Sequence, residues 1–361
     1  MAKELKLMKG NEAIAEAAIR SGCDGYFGYP ITPQSEVMEH LMAEMPWEKT
    51  GMVVLQAESE MASINMVYGG AATGKKVMTS SSSPGMSLMQ EGLTYLAGAE
   101  LPCLVVNVVR GGPGLGTIQP SQADYNQATK GGGHGDYQRD VLAPATVQEM
   151  YDFVFDAWDI AFKYRTPVMI LSDGAIGQAM EKLYVGDYVP RWTKEEIAAK
   201  APWAAFGKPA TRGHNIVTSL ELDSVKQEQF NHKLQAKYRE MEKNDTRYEE
   251  IMCEDAEYII VAYGSSARIS HKALQLAREK GIKVGLLRPI TLFPFPSEPI
   301  KKLAQRVKGI LTVEMSAGQM VKDVQLASEF KCPVKYFGRY GGIIPTPQEV
   351  LAALENDIIK G

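Results

Sequence analysis

Short runs of Val, Ile and Leu recur along this chain, each followed by a stretch of helical length, and that alternation limits the fold more than any other feature. In the first half, Gly25–Tyr29, Met52–Gln56, Lys76–Ser80, Leu104–Val109 and Pro167–Ser172 read as strands. Ala- and Met-rich segments between them, such as Met61–Ala72 and Val147–Phe162, read as helices. Strands that are apolar at successive positions are buried on both faces, as in a parallel sheet covered by helices. Residues 1–185 are therefore expected to form an α/β domain, with a parallel sheet and helices on both faces. The pattern returns in Tyr258–Tyr263, Val284–Arg288, Ile310–Glu314 and Val334–Phe337, so residues 256–361 are expected to form a second α/β domain.

Residues 186–255 differ in texture. Pro190, Trp192, Pro202 and Pro209 punctuate an irregular connection, and a charged stretch from Leu222 to Glu250 follows. Phe230, Leu234, Tyr238 and Met241 recur there at helical spacing, which predicts a linker helix resting one apolar stripe on a domain.

Composition narrows the function classes. A net charge of −4 over 361 residues gives no reason to expect nucleic acid or an anionic membrane as partner. No run reaches the length a membrane helix needs. The opening MAKELKLMKGNEA has no apolar core or cleavage site, so it does not read as a signal peptide, and the cytoplasm is the expected compartment. Cys23, Cys103, Cys253 and Cys332 lie far apart with no CxxC, and each borders an apolar run. They read as small buried hydrophobes, and neither a metal site nor an iron–sulfur cluster is expected in this chain.

One motif misleads. Gly69-Gly-Ala-Ala-Thr-Gly74-Lys75-Lys76 nearly spells a phosphate-binding P-loop, but Lys76 stands where a magnesium-binding Ser or Thr belongs. A P-loop also follows a strand and opens a helix, whereas here a helix precedes and a strand follows. The motif reads instead as a helix ending with Gly74 as its left-handed cap. No GxGxxG occurs in a strand-to-helix setting, so a dinucleotide fold lacks its main support.

Three segments place polar groups just after a predicted strand, where open parallel sheets bind ligands. In Gly28-Tyr-Pro30-Ile31-Thr32-Pro-Gln34, the prolines fix a turn that presents the Thr32 hydroxyl; the same threonine could equally cap a helix starting at Pro33. In Gln56-Ala-Glu58-Ser59-Glu60, the carboxylates could complement a helix dipole, with Ser59 as cap. Glu60 is distinguished by the uncharged run that follows it as far as Lys75, the surroundings of a buried helix. Burial disfavours the charged form of a carboxyl group, which makes such a residue a candidate acid or base. The third segment runs from Arg110 through a Gly-rich loop to Asp124, followed by Lys130-Gly-Gly-Gly-His134-Gly-Asp136. Arginine suits bidentate carboxylate recognition, and glycines let backbone approach a ligand closely. His134 reads as a structural hydrogen-bonding group rather than a catalyst.

Taken in order, GNEAIAEAAIRSG, GYPITPQSE, LQAESEMASINMVYGGAATG, MTSSSSPGMSLMQEG, the Arg110 loop and KGGGHGDY resemble the α-type subunit of 2-oxoacid:ferredoxin oxidoreductases. The resemblance spans residues 8–180 and continues more weakly in VAYGSSARIS, LLRPITLFPFP and VEMSAGQM. Within the family the chain is most similar to the branched-chain, 2-oxoisovalerate-oxidising members. The resemblance implies a thiamine diphosphate-binding fold of pyrimidine type for residues 1–185 and a transketolase C-terminal-like domain for residues 256–361.

It also implies roles. Glu60 matches the glutamate that hydrogen-bonds the cofactor pyrimidine, with Glu58 as the rival, and Pro30 and Ile31 lie in the cofactor-binding turn. Thr32 and Arg110 match residues at the substrate carboxylate. Thiamine diphosphate is shared with a β-type partner that supplies Mg²⁺; this chain has no GDG…N-type diphosphate motif. A γ-type subunit and a ferredoxin-like subunit with [4Fe-4S] clusters complete the assembly, with coenzyme A as co-substrate and ferredoxin as acceptor. A 2-oxoglutarate enzyme must satisfy a second carboxylate, and members of that type carry a basic residue in the Gly-rich loop. Gly114-Leu-Gly-Thr-Ile-Gln-Pro-Ser121 has none, which fits a neutral branched side chain. The contrasting expectation is a non-catalytic assembly subunit that keeps the fold.

Overall fold

Every residue from Cys103 to Val109 is buried, and their side chains divide between two cores. Cys103, Val105 and Val109 join the cluster that contains Ile64, Met86 and Leu93, whereas Leu104, Val106 and Val108 join Ile14, Ile19 and Val154. This two-residue alternation between two apolar layers is what a central parallel strand requires.

The computed structural model describes residues 4–208, 210 and 212–360. Pro209 and the first three residues of the N-terminal stretch lie outside the described residues. The first half contains β1 (Glu4–Lys9), β2 (Gly25–Gly28), β3 (Val53–Gln56), β4 (Val77–Ser81), β5 (Cys103–Val109), β6 (Asp140–Leu142), β7 (Pro167–Asp173) and β8 (Met180–Val185). The second adds β9 (Tyr248–Ile251), β10 (Tyr258–Ala262), β11 (Val284–Pro289), β12 (Thr291–Phe293), β13 (Gly309–Glu314) and β14 (Val334–Gly338). A seven-stranded sheet has the order β12-β6-β7-β5-β4-β2-β3, parallel except for β12 against β6. A five-stranded sheet has the order β14-β13-β10-β11-β9, parallel except for β9. β1 and β8 form a separate antiparallel pair.

All nine expected strands are present within a residue or two at either end. β1, β6, β8, β9 and β12 were not legible, because three to six residues of mixed polarity carry no apolar run. Two of them cross the boundaries that the sequence suggests. β12, from the second half, completes the first sheet, and β9, inside the connecting segment, joins the second. The first hydrophobic cluster runs without a break from Val105 and Met169 of the first sheet to Ile259 and Ile310 of the second.

The linker helix spans Ser224–Asn244 and is capped by the Asp223 carboxylate. Leu234, Tyr238 and Met241 are its buried stripe, packed with Phe230 against Tyr164 and Phe293. The residues beyond Asn244 leave the helix to become β9. The P-loop look-alike is the end of the helix Glu60–Ala72, and Gly74 beyond it has φ +78°. No described helix is long and apolar enough to cross a membrane. Cys23, Cys103 and Cys253 are buried free thiols, and burial pushes the first two up to about 12.

β6 carries one unusual group. Asp140 is fully buried, and neither carboxylate oxygen has a hydrogen-bond partner among the described residues. Burial holds this carboxyl far above its usual range; Arg247 opposes the shift, while Asp245 and Asp156 add to it. The folded state therefore keeps a proton that the unfolded chain releases near the ordinary carboxylate range. Stability falls as pH rises through the interval between those two values. Asp140→Asn removes that proton dependence. Its melting temperature is expected to gain on the parent's steadily between about pH 5 and about pH 8, as thermal unfolding across that range will check.

Candidate active site

β2 and β4 are neighbours whose onward crossovers run in opposite directions, β2 to β3 at the sheet edge and β4 to β5 toward its middle. The carboxyl ends of β2 and β4, where the order reverses, are the place where open α/β sheets bind ligands. The turn after β2, the start of the helix after β3, the serines ending β4 and the loop after β5 all reach it. These are the three segments singled out in the sequence, together with one that was not.

Thr32 lies on the exposed part of the first turn, with Pro30 exposed and Ile31 half-buried. It is not a helix cap: the helix begins at Ser35 with Gln34 as its N-cap residue. Gln34 fastens the turn instead. Its Nε2 donates to Tyr29 O (3.2 Å), and its Oε1 accepts from Ser80 Oγ (2.6 Å).

Glu60 is the first residue of its helix, behind the Ser59 cap, whose Oγ accepts from Ala62 N. The structure separates the two carboxylates. Glu58 is exposed and accepts from Ser59 Oγ at 2.9 Å. Glu60 is buried, and no described residue donates to its carboxylate. Its side chain lies against Gly85 at the start of the helix Ser83–Gly98, where a Cβ would stand 2.6 Å from Glu60 Oε1.

Arg110 leaves the end of β5 buried. Its Nη1 donates to Thr32 O (2.9 Å) and its Nη2 to Leu115 O (3.0 Å), while Nε has no partner among the described residues. No described carboxylate pairs with it. Asp124, the acid closing the loop, accepts instead from Asn107 Nδ2 (2.9 Å). Thr32 and Arg110 are thus brought together directly. The loop folds back tightly, with Thr117 N donating to Gly111 O; at Gly116 (φ +57°) a Cβ would stand 1.8 Å from that oxygen.

His134 differs from expectation. It is exposed on its glycine loop and has no hydrogen-bond partner among the described residues, because Tyr137 and Gln235 hold that loop from either side. Sequence reasoning also missed Gln122. This amide is buried between the two sheets: Nε2 donates to Tyr263 O (2.9 Å), and Oε1 accepts from Ser266 Oγ (2.7 Å) and Met315 N (2.9 Å). Its backbone N–H donates to Met315 O at 2.8 Å. The loop that begins at Arg110 is therefore anchored on the second sheet, and nothing in local sequence signals so distant a partner.

Two α/β units, with a buried carboxylate and a buried guanidinium at the switch point of the first, define a class. The chain belongs to the pyruvate flavodoxin/ferredoxin oxidoreductase family: its thiamine diphosphate-binding domain matches residues 16–250, and pyruvate:ferredoxin oxidoreductase core domain II matches residues 256–350. Among its relatives is the ketoisovalerate oxidoreductase subunit VorB of Methanothermobacter marburgensis, 51% identical over 96% of both chains. Another is the 2-oxoglutarate synthase subunit KorA of Archaeoglobus fulgidus, 37% identical over 98% of this chain and 100% of that one. The solved 2-oxoglutarate:ferredoxin oxidoreductase from Magnetococcus marinus, with 2-oxoglutarate, coenzyme A and succinyl-CoA bound, superposes with a TM-score of 0.86. It is 29% identical, and the match covers 99% of this chain and 66% of that chain.

Gln122→Leu fills the same space but strands Met315 N and the Ser266 hydroxyl, while Tyr263 O keeps its bond from Ala267 N. At about 1–3 kcal/mol for each of these two buried unsatisfied groups, the expected cost is about 2 kcal/mol or more in denaturant unfolding. Faster amide exchange at Met315 and through residues 110–124 is expected with it.

Proposed function

We propose that this chain is the α-type subunit of a branched-chain 2-oxoacid:ferredoxin oxidoreductase. The complex converts a 2-oxoacid such as 2-oxoisovalerate to an acyl-coenzyme A and CO₂ and passes the electrons to ferredoxin. One observation carries the reading: a buried carboxylate without a donor, Glu60, shares a crevice with a buried guanidinium without an acid, Arg110. Each lacks the kind of partner that the reaction brings.

The residues present fit the aminopyrimidine of thiamine diphosphate. Gly85 withholds the Cβ that would overlap Glu60 Oε1, so the carboxylate is left open to a ring nitrogen, with Pro30 and Ile31 on the turn that follows the neighbouring strand β2. When bound, the cofactor supplies the electron sink that decarboxylation of a 2-oxoacid needs. Glu60 holds a proton at its carboxylate oxygen, shares it with that ring nitrogen and orients the ring. Arg110 keeps Nε and the second hydrogen of each terminal nitrogen for a substrate carboxylate. The Thr32 hydroxyl, on the backbone that Arg110 grips, orients the same group. Buried surroundings strengthen these contacts by excluding water.

The helix that carries Glu60 is apolar all round, which in a water-soluble chain means both faces are covered. Met61 is 53% exposed and Leu88, on the neighbouring helix, 50%. A β-type partner that holds Mg²⁺ and the diphosphate would cover this face, with γ-type and [4Fe-4S] cluster subunits completing a cytoplasmic assembly. The substrate reading is supported by the Arg110 loop, Gly111–Gln119, which offers no cation to a second carboxylate. The relative 51% identical bears a ketoisovalerate name, against 37% for one named after 2-oxoglutarate.

Glu60→Gln in the assembled complex is expected to keep its subunits and lose about a hundredfold or more of turnover, the range of general acid–base catalysis. Near-parental activity would mean that Glu60 has another role and would favour an assembly subunit. With the parent complex, coenzyme A-dependent ferredoxin reduction is expected to favour 2-oxoisovalerate over 2-oxoglutarate by about a hundredfold in kcat/KM. The reverse preference would overturn the substrate.

A further inference from the structure

Four consecutive serines, Ser80 to Ser83, end β4 and begin the next helix, and three of their hydroxyls are engaged. Ser80 Oγ donates to Gln34 Oε1 at 2.6 Å and lies 2.8 Å from Tyr26 Oη. Ser82 Oγ donates to Val108 O at 2.7 Å. Ser83 Oγ donates to Arg110 O and accepts from Arg110 N at 3.1 Å. Ser81 is the exception: it is fully buried, and its hydroxyl has no partner among the described residues. A hydroxyl stranded in this way is destabilising, so its place calls for a reason.

Gly85 identifies what that hydroxyl faces. A Cβ built there would stand 2.1 Å from Ser81 Oγ and 2.6 Å from Glu60 Oε1. The two oxygens therefore border the same small space, too narrow for a Cβ, which stays open because residue 85 is glycine. They are not bonded as they stand. The terminal torsion of a glutamate is soft, and rotation about it turns a carboxylate oxygen toward the Ser81 hydroxyl. A carboxylate accepts at both oxygens, so one can take the serine hydrogen while the other stays free for a ring nitrogen.

We infer that Ser81 is a positioning residue: its hydroxyl donates to the Glu60 carboxylate across the space left by Gly85 and sets that carboxylate's orientation. The inference rests on the reading of Glu60 as the residue that handles the cofactor's proton. The remaining hydroxyls of the serine run serve the frame. Ser80 fixes the turn that bears Thr32, and Ser83 fixes the backbone of Arg110, so one tetrapeptide sets all three groups of the crevice.

The test is infrared difference spectroscopy on the complex assembled with its partner subunits, with and without thiamine diphosphate. Subtracting the Glu60→Gln spectrum isolates the Glu60 carboxylate band. Ser81→Ala is expected to shift that band and to lower turnover about tenfold, with the KM for the 2-oxoacid unchanged. Ser81→Cys keeps nearly the same size but donates weakly, so it is expected to shift the band in the same direction and to show that the effect is not one of packing. A Glu60 band that stays put in both variants, with and without cofactor, overturns the inference whatever the activity. Parental turnover of Glu60→Gln would instead remove the reading on which it rests, even with the band shifted.

Discussion

The site depends on one constraint: a parallel strand buried on both faces has no room for polar side chains along its length. β5 meets that demand at every position but Asn107, which spends its amide on Asp124. Polar chemistry is pushed to the strand ends, and because the strands run the same way, the ends of β2, β3, β4 and β5 meet at one edge. The order of strands then decides where on that edge a crevice opens. Thr32, Glu60, the serine run and Arg110 come together for this reason, although as many as 78 residues separate a bonded pair such as Thr32 and Arg110.

The second unit contributes to the site by holding the Arg110 loop, against whose Gly111, Thr117 and Gln119 its Gly342 packs closely. Gln122 acts as a piece of strand supplied by a side chain, engaging the Tyr263 carbonyl, the Ser266 hydroxyl and the Met315 N–H. Ser121 Oγ adds a bond to Met315 O, and Tyr125 packs its ring against Tyr263. The Arg110 loop is thus gripped at its start by Thr32 and Leu115 and at its end by the second sheet. A flexible, glycine-rich loop becomes a fixed wall because both ends are held.

Much of the fold could be read directly. The long apolar strands, the helix that ends at Gly74 and the single stripe of the linker helix follow from periodicity and cap chemistry, which are local. Short strands are different. β12 has three residues, and its pairing with β6 depends on a partner about 150 residues earlier in the chain. Of the candidate site, Glu60 was marked by the uncharged run behind it, and Arg110 by its position at a strand end. Thr32 remained ambiguous with a helix cap until the helix proved to start at Ser35. His134 was misjudged, since a histidine among glycines has no neighbours of its own to bond.

By itself, the sequence determined the class of fold, the edge at which chemistry can occur and the two charged groups placed there, because burial and periodicity act between near neighbours. Only the tertiary structure decided which of two adjacent carboxylates is buried, that Arg110 meets Thr32 rather than an acid, and that Gly85 holds open a space between Ser81 and Glu60. These are contacts between separate elements, set by how helices settle on a sheet, and no residue's own neighbours encode them.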